Sequence, residues 1–194
     1  MKKLHRAALA LATLVLAGCA VAPPERFYRL AGPSTASPAA ADGPVIAVGA
    51  VVLPEWVDRP QIATVGSGQR VQVSEAHRWA EPLRPAVGRV VAEQLSAALG
   101  APLVYAYPQV AVAEPAFRVT LNVQRFDGEL GGAVTDEVLW TVRRVSDGQL
   151  RTGRSTGKAV TTDASYDALA AAHVAALAAV SREIAQAIRE WGAR

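Results

Sequence analysis

Apolar residues recur with two different periods along this chain, and each period predicts a different secondary structure. Residues 45–53 (VIAVGAVVL) are apolar on both faces, a pattern typical of a strand buried inside a sheet. Between residues 117 and 142 the apolar side chains fall on alternate positions, interrupted by the turn pair Asp127-Gly128. This alternation predicts two half-buried antiparallel strands. Residues 150–162 have little apolar content, and they predict a charged edge strand that completes a three-strand meander.

Two segments carry the period of an amphipathic helix. Residues 81–99 hold an apolar stripe, and Gly100 followed by Pro102 marks its end. Ser165 can cap the second helix. Its apolar residues follow at steps of three or four, at Tyr166, Leu169, His173, Leu177, Val180, Ile184, Ile188 and Trp191. At about 1.5 Å per residue this helix would be about 39 Å long, enough to cross a whole sheet.

Shorter patterns add a strand at residues 27–30, a hairpin formed by residues 62–65 and 70–74, and a strand at residues 103–107. These elements together predict an α/β domain of the α+β type. In this fold a mixed, mostly antiparallel sheet of about five to seven strands packs against two main helices.

The N-terminus has the layout of an export signal. Lys2, Lys3 and Arg6 precede an apolar run that ends in Leu16-Ala17-Gly18-Cys19. This run is shorter than the about 18 to 20 apolar residues that a membrane-spanning helix needs. The four residues resemble a bacterial lipobox, which implies a diacylglycerol on the Cys19 thiol, cleavage before Cys19 and an N-acyl chain on the new amino group. The alternative is an ordinary signal peptide followed by an inert cysteine.

The lipobox interpretation divides the chain into three parts. Residues 1–18 are the signal peptide, residues 19–26 are the lipidated tether, and residues 27–194 form a periplasmic domain with a flexible connector at residues 31–44. Ala20 follows the cysteine where an aspartate would retain the protein at the inner membrane in enteric bacteria. We therefore expect an anchor in the periplasmic face of the outer membrane.

Net charge and cysteine content argue against several classes of function and site. The chain has 20 Lys and Arg against 17 Asp and Glu, but three of the basic residues and none of the acidic ones precede Cys19. The mature protein would be neutral, so its basic isoelectric point is no sign of nucleic-acid binding. Cys19 is the single cysteine, which excludes a disulfide within the chain and a site with several cysteine ligands. We expect no cofactor and no metal.

Three features of the sequence resemble parts of catalytic sites, but the predicted secondary structure and spacing around each argue against catalysis. Gly153-Arg154-Ser155-Thr156-Gly157 matches G-x-S-x-G, but a nucleophile elbow needs a turn from a strand into a helix, and this stretch lies inside a predicted strand. Gly157-Lys158 lacks the spacing and the following helix of a phosphate-binding loop. His77 and His173 are the histidines left after removal of the leader. His173 is expected to be hydrogen-bonded in the core, and His77 to lie in a loop before the first helix. We predict that the protein is not an enzyme.

Several basic residues remain in the meander, and they have two interpretations. They could bind lipid headgroups, or they could belong to solvated strand faces, which is the more common arrangement. These residues are Arg118, Arg125, Arg143, Arg144, Arg151, Arg154 and Lys158.

Two stretches carry more aromatic and charged residues than packing requires. In residues 53–62 (LPEWVDRPQI), prolines stiffen the backbone around Trp56, Asp58 and Arg59. Residues 77–83 (HRWAEPL) contain Arg78 and Trp79. Tryptophan and arginine dominate protein-binding hot spots, so these five residues are candidates for contact with a partner. The alternative is that Trp56 folds back over the sheet edge while Asp58 and Arg59 pair with each other.

The lipobox, the two stretches above, FYRL at residues 27–30, FDG at residues 126–128 and the alanine-rich last helix occur here in one order. In this order they resemble the ABC-type transport auxiliary lipoproteins, including the paraquat-inducible C lipoproteins. The resemblance implies a non-enzymatic periplasmic component that works with an inner-membrane ABC transporter and its MCE-domain protein to move phospholipid or related apolar molecules. It also leaves homo-oligomerisation open. The alternative function is a structural or assembly lipoprotein of the envelope that binds only protein.

Overall fold

The computed structural model of the protein describes residues 24–32, 43–66, 69–100, 103–107 and 114–192. Cys19, the leader and most of the predicted connector lie outside the described residues. The described elements, in chain order, are β1 (Arg26–Tyr28), β2 (Ile46–Val52), β3 (Gln61–Val65), β4 (Val71–Trp79), α1 (Leu83–Leu99), β5 (Val104–Ala106), β6 (Phe117–Gly128), β7 (Ala133–Arg144), β8 (Leu150–Val160) and α2 (Tyr166–Gly192).

The predicted α+β class is confirmed, but the strands form two sheets where the sequence predicted one. The larger sheet has the order β5-β2-β6-β7-β8, and the smaller has the order β1-β4-β3. Strand β2 runs parallel to both of its neighbours, whereas β6, β7 and β8 form the predicted antiparallel meander. Residues 53–60 turn the chain out of the large sheet after β2. Pro54 and Pro60 lack the N–H that a strand ladder requires, so β2 and β3 belong to different sheets.

Both helices pack on one face of the five-stranded sheet, with α1 against β2 and β5 and α2 against β7 and β8. The alternation predicted for β6 and β7 is present, because every second side chain is buried beneath the helices. Helix α2 is long and apolar enough to span a membrane by length and composition, with 67% of its apolar window buried inside the fold. It is therefore the core helix of this domain.

Helix α2 approaches β8 without a side chain between the two backbones. A Cβ atom on Gly157 would lie 2.0 Å from the backbone oxygen of Ala176, and one on Gly153 would lie 2.2 Å from the Trp140 ring. Both glycines face the helical layer, on the same side of β8 as Ser155. The glycines of the G-x-S-x-G match are therefore required by packing.

Substitution of Gly157 tests this close approach. We expect Gly157→Ala to lower the free energy of unfolding by about 3 kcal/mol, because the helix backbone would have to move away from the sheet. The measurement is urea unfolding followed by circular dichroism. Gly66→Ala is the matched control, since a Cβ there would lie 3.6 Å from the nearest heavy atom, an ordinary contact. Equal stability of the two variants would contradict the packing explanation.

Candidate functional site

The β2–β3 loop, residues 53–60, is a compact turn tied to the core. Leu53 and Val57 are buried. The backbone N–H groups of Val57 and Asp58 both donate to the carbonyl oxygen of Pro54, at 3.1 and 3.2 Å. Glu55 and Arg59 are exposed between these fixed points. The loop therefore presents one acidic and one basic side chain on a backbone whose conformation is set in advance.

The structure agrees in part with the alternative in which Trp56 folds back on the protein. Trp56 is half-buried and packs against the core. Asp58 forms an ion pair with Arg84 in the first turn of α1, and among the described residues no ion pair joins Asp58 to Arg59, although that alternative required one. Sequence reasoning missed Arg84 because a pair between a loop and a helix 26 positions later leaves no local pattern.

The second candidate stretch lies on a strand, and the prediction of a loop around His77 is wrong. Residues 77–79 complete β4, which is the central strand of the small sheet. The His77 ring stacks on Tyr166 with centroids 3.9 Å apart, and its Nδ1 lies 2.9 Å from the Ser74 hydroxyl. The stacking on Tyr166 joins β4 to the start of α2. Because β4 pairs with both β1 and β3, it continues as a strand beyond residue 74, where the second strand of the predicted hairpin ended.

The structure brings the two stretches together but gives their residues different surroundings. Trp79 is buried, and its backbone N–H donates to the Pro60 carbonyl at 2.7 Å. Arg78 forms an ion pair with Glu25 at 2.7 Å. Of the five candidate partner contacts, Arg59 is exposed, Trp56, Asp58 and Arg78 are half-buried, and Trp79 belongs to the core.

Ser155 has none of the geometry of a nucleophile. It lies within β8, is 2% exposed, accepts a hydrogen bond from Trp140 Nε1 at 2.8 Å and donates one to Glu183 at 2.5 Å. No turn into a helix exposes its hydroxyl, because β8 continues to Val160. Its contacts link two strands and α2, which is a packing role.

The predicted core position of His173 is confirmed, and its partner is Asp136. The His173 Nδ1 and the Asp136 Oδ1 lie 2.9 Å apart in the core, and the imidazole stacks on Phe126 at 3.8 Å between centroids. Burial raises the pKa of the Asp136 carboxyl, and the neighbouring His173 opposes part of the rise. Sequence reasoning missed Asp136, although it occupies an inward position between Val134 and Val138.

Within the described ranges, no group of three or more His, Cys, Asp or Glu side chains could hold a metal ion. The candidate surface is the β2–β3 loop, which carries exposed charged side chains on a backbone held by hydrogen bonds. This arrangement is suited to contact with another molecule.

Comparison with known proteins identifies the family. The family model of the ABC-type transport auxiliary lipoprotein component matches residues 28–185. The chain belongs to this family. The match covers most of the chain and includes both candidate stretches and α2 as far as residue 185. A search of curated proteins finds no match.

Solved structures similar to this auxiliary lipoprotein share its fold. A crystal structure of an uncharacterised protein aligns with a TM-score of 0.69 and 19% identity over 86% of this chain and 99% of that chain. A protein from Xanthomonas campestris assigned to the DUF330 family aligns with a TM-score of 0.66 and 19% identity, over 86% of this chain and 96% of that chain. Membership of the family makes the protein a component associated with an ABC transport system and with the cell envelope.

The buried pair generates a prediction about pH. The raised pKa means that folded Asp136 holds its proton more tightly than the unfolded chain does. Its stabilising contribution is complete below the ordinary pKa of aspartate and is lost as the pH rises through the raised value. Asp136→Asn keeps a hydrogen-bonding group but cannot titrate. We expect the stability of this variant relative to wild type to increase as the pH rises above the ordinary pKa of aspartate, measured by urea unfolding.

Asp147→Asn is the control for this experiment. A hydrogen bond from Arg144 lowers the pKa of the Asp147 carboxyl, so the wild-type contribution of this residue is lost as the pH falls. The stability of Asp147→Asn relative to wild type should therefore increase as the pH falls, which is the opposite direction to Asp136→Asn, and this change should lie below the ordinary pKa of aspartate. A constant difference between Asp136→Asn and wild type across the pH range would show that Asp136 does not titrate differently in the folded state.

Proposed function

We propose that this auxiliary lipoprotein is anchored through acyl chains on Cys19 to the periplasmic face of the outer membrane. There it acts without catalysis in a transport system that moves phospholipid or related lipids. Its partners would be an inner-membrane ABC transporter and the MCE-domain protein of that system. The observation that carries this proposal is the family match over residues 28–185.

The position of the tether supports a site of action close to the membrane. The stretch from Cys19 to the start of β1 spans at most about 25 Å when fully extended. Strand β1 pairs with the end of β4, where Phe27 lies opposite Arg78. Gln61, directly after the β2–β3 loop, lies opposite the same Arg78 on the other side. Since neighbouring strands are about 4.8 Å apart, the loop leaves the sheet about 10 Å from the tether strand.

The β2–β3 loop is the part of this region best suited to a protein partner. Its backbone is held by the turn at Pro54 and by the Asp58–Arg84 ion pair, so little conformational freedom would be lost on binding. Exposed Arg59 supplies a guanidinium group, which is common at binding hot spots. We therefore place the contact with the transport partner at Glu55 and Arg59.

A second function is a scaffold that binds only protein, which is favoured by the fixed backbone and exposed charges of the β2–β3 loop. A scaffold would recover protein partners without enriched lipid, which the experiments below distinguish.

Substitutions around Cys19 test the anchor. We expect Cys19→Ser to lose labelling by palmitate and to leave the outer-membrane fraction of a sucrose gradient. Ala20→Asp should keep the label but move to the inner-membrane fraction, and the control Ala20→Ser should behave as wild type. Labelling of Cys19→Ser at the wild-type level would contradict lipidation at this residue.

Co-purification tests the loop. The full-length protein, tagged at its C-terminus, is purified from gently solubilised membranes, and the associated proteins and lipids are identified by mass spectrometry. We expect Arg59→Ala to reduce recovery of the transporter and MCE-domain partners at least fivefold, in line with a loss of about 1–2 kcal/mol at a hot-spot arginine. Arg182→Ala, which removes an exposed arginine from α2, is the matched control and should leave recovery unchanged.

Three results would argue against these proposals. Wild-type protein that is correctly anchored but recovers no transporter component would contradict the transport role. Partners recovered without lipid would favour the scaffold. Equal recovery by Arg59→Ala and wild type would place the contact elsewhere on the surface.

A further inference from the structure

In the described ranges, no helix packs on one face of the five-stranded sheet. Both helices pack on the opposite face, so the outward side chains of β6, β7 and β8 are exposed or half-buried along most of their length. We call this surface the open face. Its side chains form rows across the strands, because the register of the meander pairs outward residues with outward residues.

One of these rows places two arginines side by side. Arg118 of β6 lies directly opposite Arg143 of β7, and both are exposed. Directly opposite side chains in an antiparallel pair have Cβ atoms about 5 Å apart, and like charges at that position repel each other. In the part of the chain that the structure describes, neither guanidinium has an ion pair or a side-chain hydrogen bond.

Neighbouring arginines on the same three strands are neutralised. Arg125 pairs with Asp127 at 2.5 Å, and Arg154 pairs with Glu137 at 2.9 Å. Arg144, at the end of β7, pairs with Asp147 at 2.5 Å. Lys158 of β8 also has no ion pair among the described residues, but Arg118 and Arg143 are set directly opposite each other, and an anion bound between the two guanidinium groups would remove their repulsion.

Two further rows of outward side chains follow the arginine row along the strands, and they differ in chemistry. The adjacent row consists of Thr120, Thr141 and Thr152, which are joined across β6, β7 and β8. The row after it is mixed: Val52 of β2 pairs with Asn122, Asn122 with Leu139, and Leu139 with Arg154, whose charge is neutralised by Glu137. The threonines, Asn122, Leu139 and Val52 line an open groove of about 500 Å³. Rows on one face are about 6.7 Å apart, so Val52 and Leu139 lie about 13 Å from the arginines.

We infer that the open face binds a glycerophospholipid, with its phosphate between Arg118 and Arg143. Two guanidinium groups offer a planar set of N–H donors that suits phosphate oxygens. The threonine hydroxyls then lie at the level of the glycerol and its ester carbonyls, and Val52 and Leu139 lie where the acyl chains begin. Along the groove, the hydroxyl groups and then the apolar side chains of Val52 and Leu139 follow the arginine pair, which is the order of groups along such a lipid. The choice of a lipid over another phosphate ester rests on the proposed function.

Lipid retention by the purified protein tests this inference. The full-length protein in a nonionic detergent is incubated with phosphatidylglycerol, and the fraction carrying one lipid is measured by native mass spectrometry. We expect Arg118→Gln with Arg143→Gln to weaken retention at least tenfold. Arg125→Gln with Arg182→Gln is the matched control, because it removes the same charge from an arginine already paired with Asp127 and from an exposed arginine of α2 on the other side of the sheet. This control should stay within twofold of wild type.

Two further probes identify the ligand chemistry. Dioleoylglycerol, which has no phosphate, should not be retained at the open face, and inorganic phosphate should not compete at concentrations similar to that of the lipid. Effective competition by inorganic phosphate would show a simple anion site and overturn the lipid assignment. Equal retention of phosphatidylglycerol by wild type and by Arg118→Gln with Arg143→Gln, or equal losses in both double variants, would overturn the site itself.

Folding and partner binding serve as separate checks on the same variants. Removal of two opposed charges should leave the thermal midpoint of Arg118→Gln with Arg143→Gln unchanged or raised. If this variant fails to fold, Arg118→Lys with Arg143→Lys keeps the charge but loses the bidentate geometry, and it should show a smaller loss of lipid. Recovery of the transporter partners by either variant should remain at the wild-type level. Failure of the lipid site therefore leaves the proposed transport role standing, and failure of that role is seen independently in the co-purification.

Discussion

The direct contact between α2 and β8 determines the rest of this structure. At Gly157 the helix backbone lies so close to the strand that even a Cβ atom has no room. A long helix held at this distance covers the inward side chains of β7 and β8 and brings Glu183 to Ser155 and His173 to Asp136. Helix α2 thus supplies hydrogen-bond partners for the buried Ser155 hydroxyl and for one oxygen of Asp136. Residues with catalytic potential in the sequence are thereby used for packing.

The same contact gives the sheet two unlike faces. With both helices on one side, the covered face is filled by aliphatic side chains and the few polar pairs just described, while charged and hydroxyl side chains occupy the other. Among the cations of the meander, Arg125, Arg144 and Arg154 are neutralised by acidic residues two or three positions away or on the neighbouring strand. Arg118 and Arg143 are different because their register places them opposite each other. Their charge is available to a ligand, whereas that of Arg125 or Arg154 is not.

The small sheet connects this core to the N-terminal tether and to the β2–β3 loop. Strands β1 and β3 flank β4, so the tether and the loop leave the domain on either side of the same Arg78. Trp79 and Val57 are buried beneath this region, and Asp58 ties it to α1. A partner bound at Arg59 would consequently contact a rigid part of the protein close to the proposed membrane anchor. The open face belongs to the other sheet, so the proposed partner contact and the proposed lipid site lie on separate surfaces.

Local patterns in the sequence were enough to predict both helices, the meander, the α+β class and the family, because side-chain periodicity, turn residues and short motifs are properties of neighbouring positions. The His173 position in the core and the absence of a nucleophile elbow at Ser155 followed from the same patterns. The division into two sheets, the Asp58–Arg84 pair, the partner of His173 and the opposition of Arg118 and Arg143 depend on residues far apart in the chain or on strand register. Only the tertiary structure decided these, since contact energy between distant residues is set by how the elements pack and leaves no local signal.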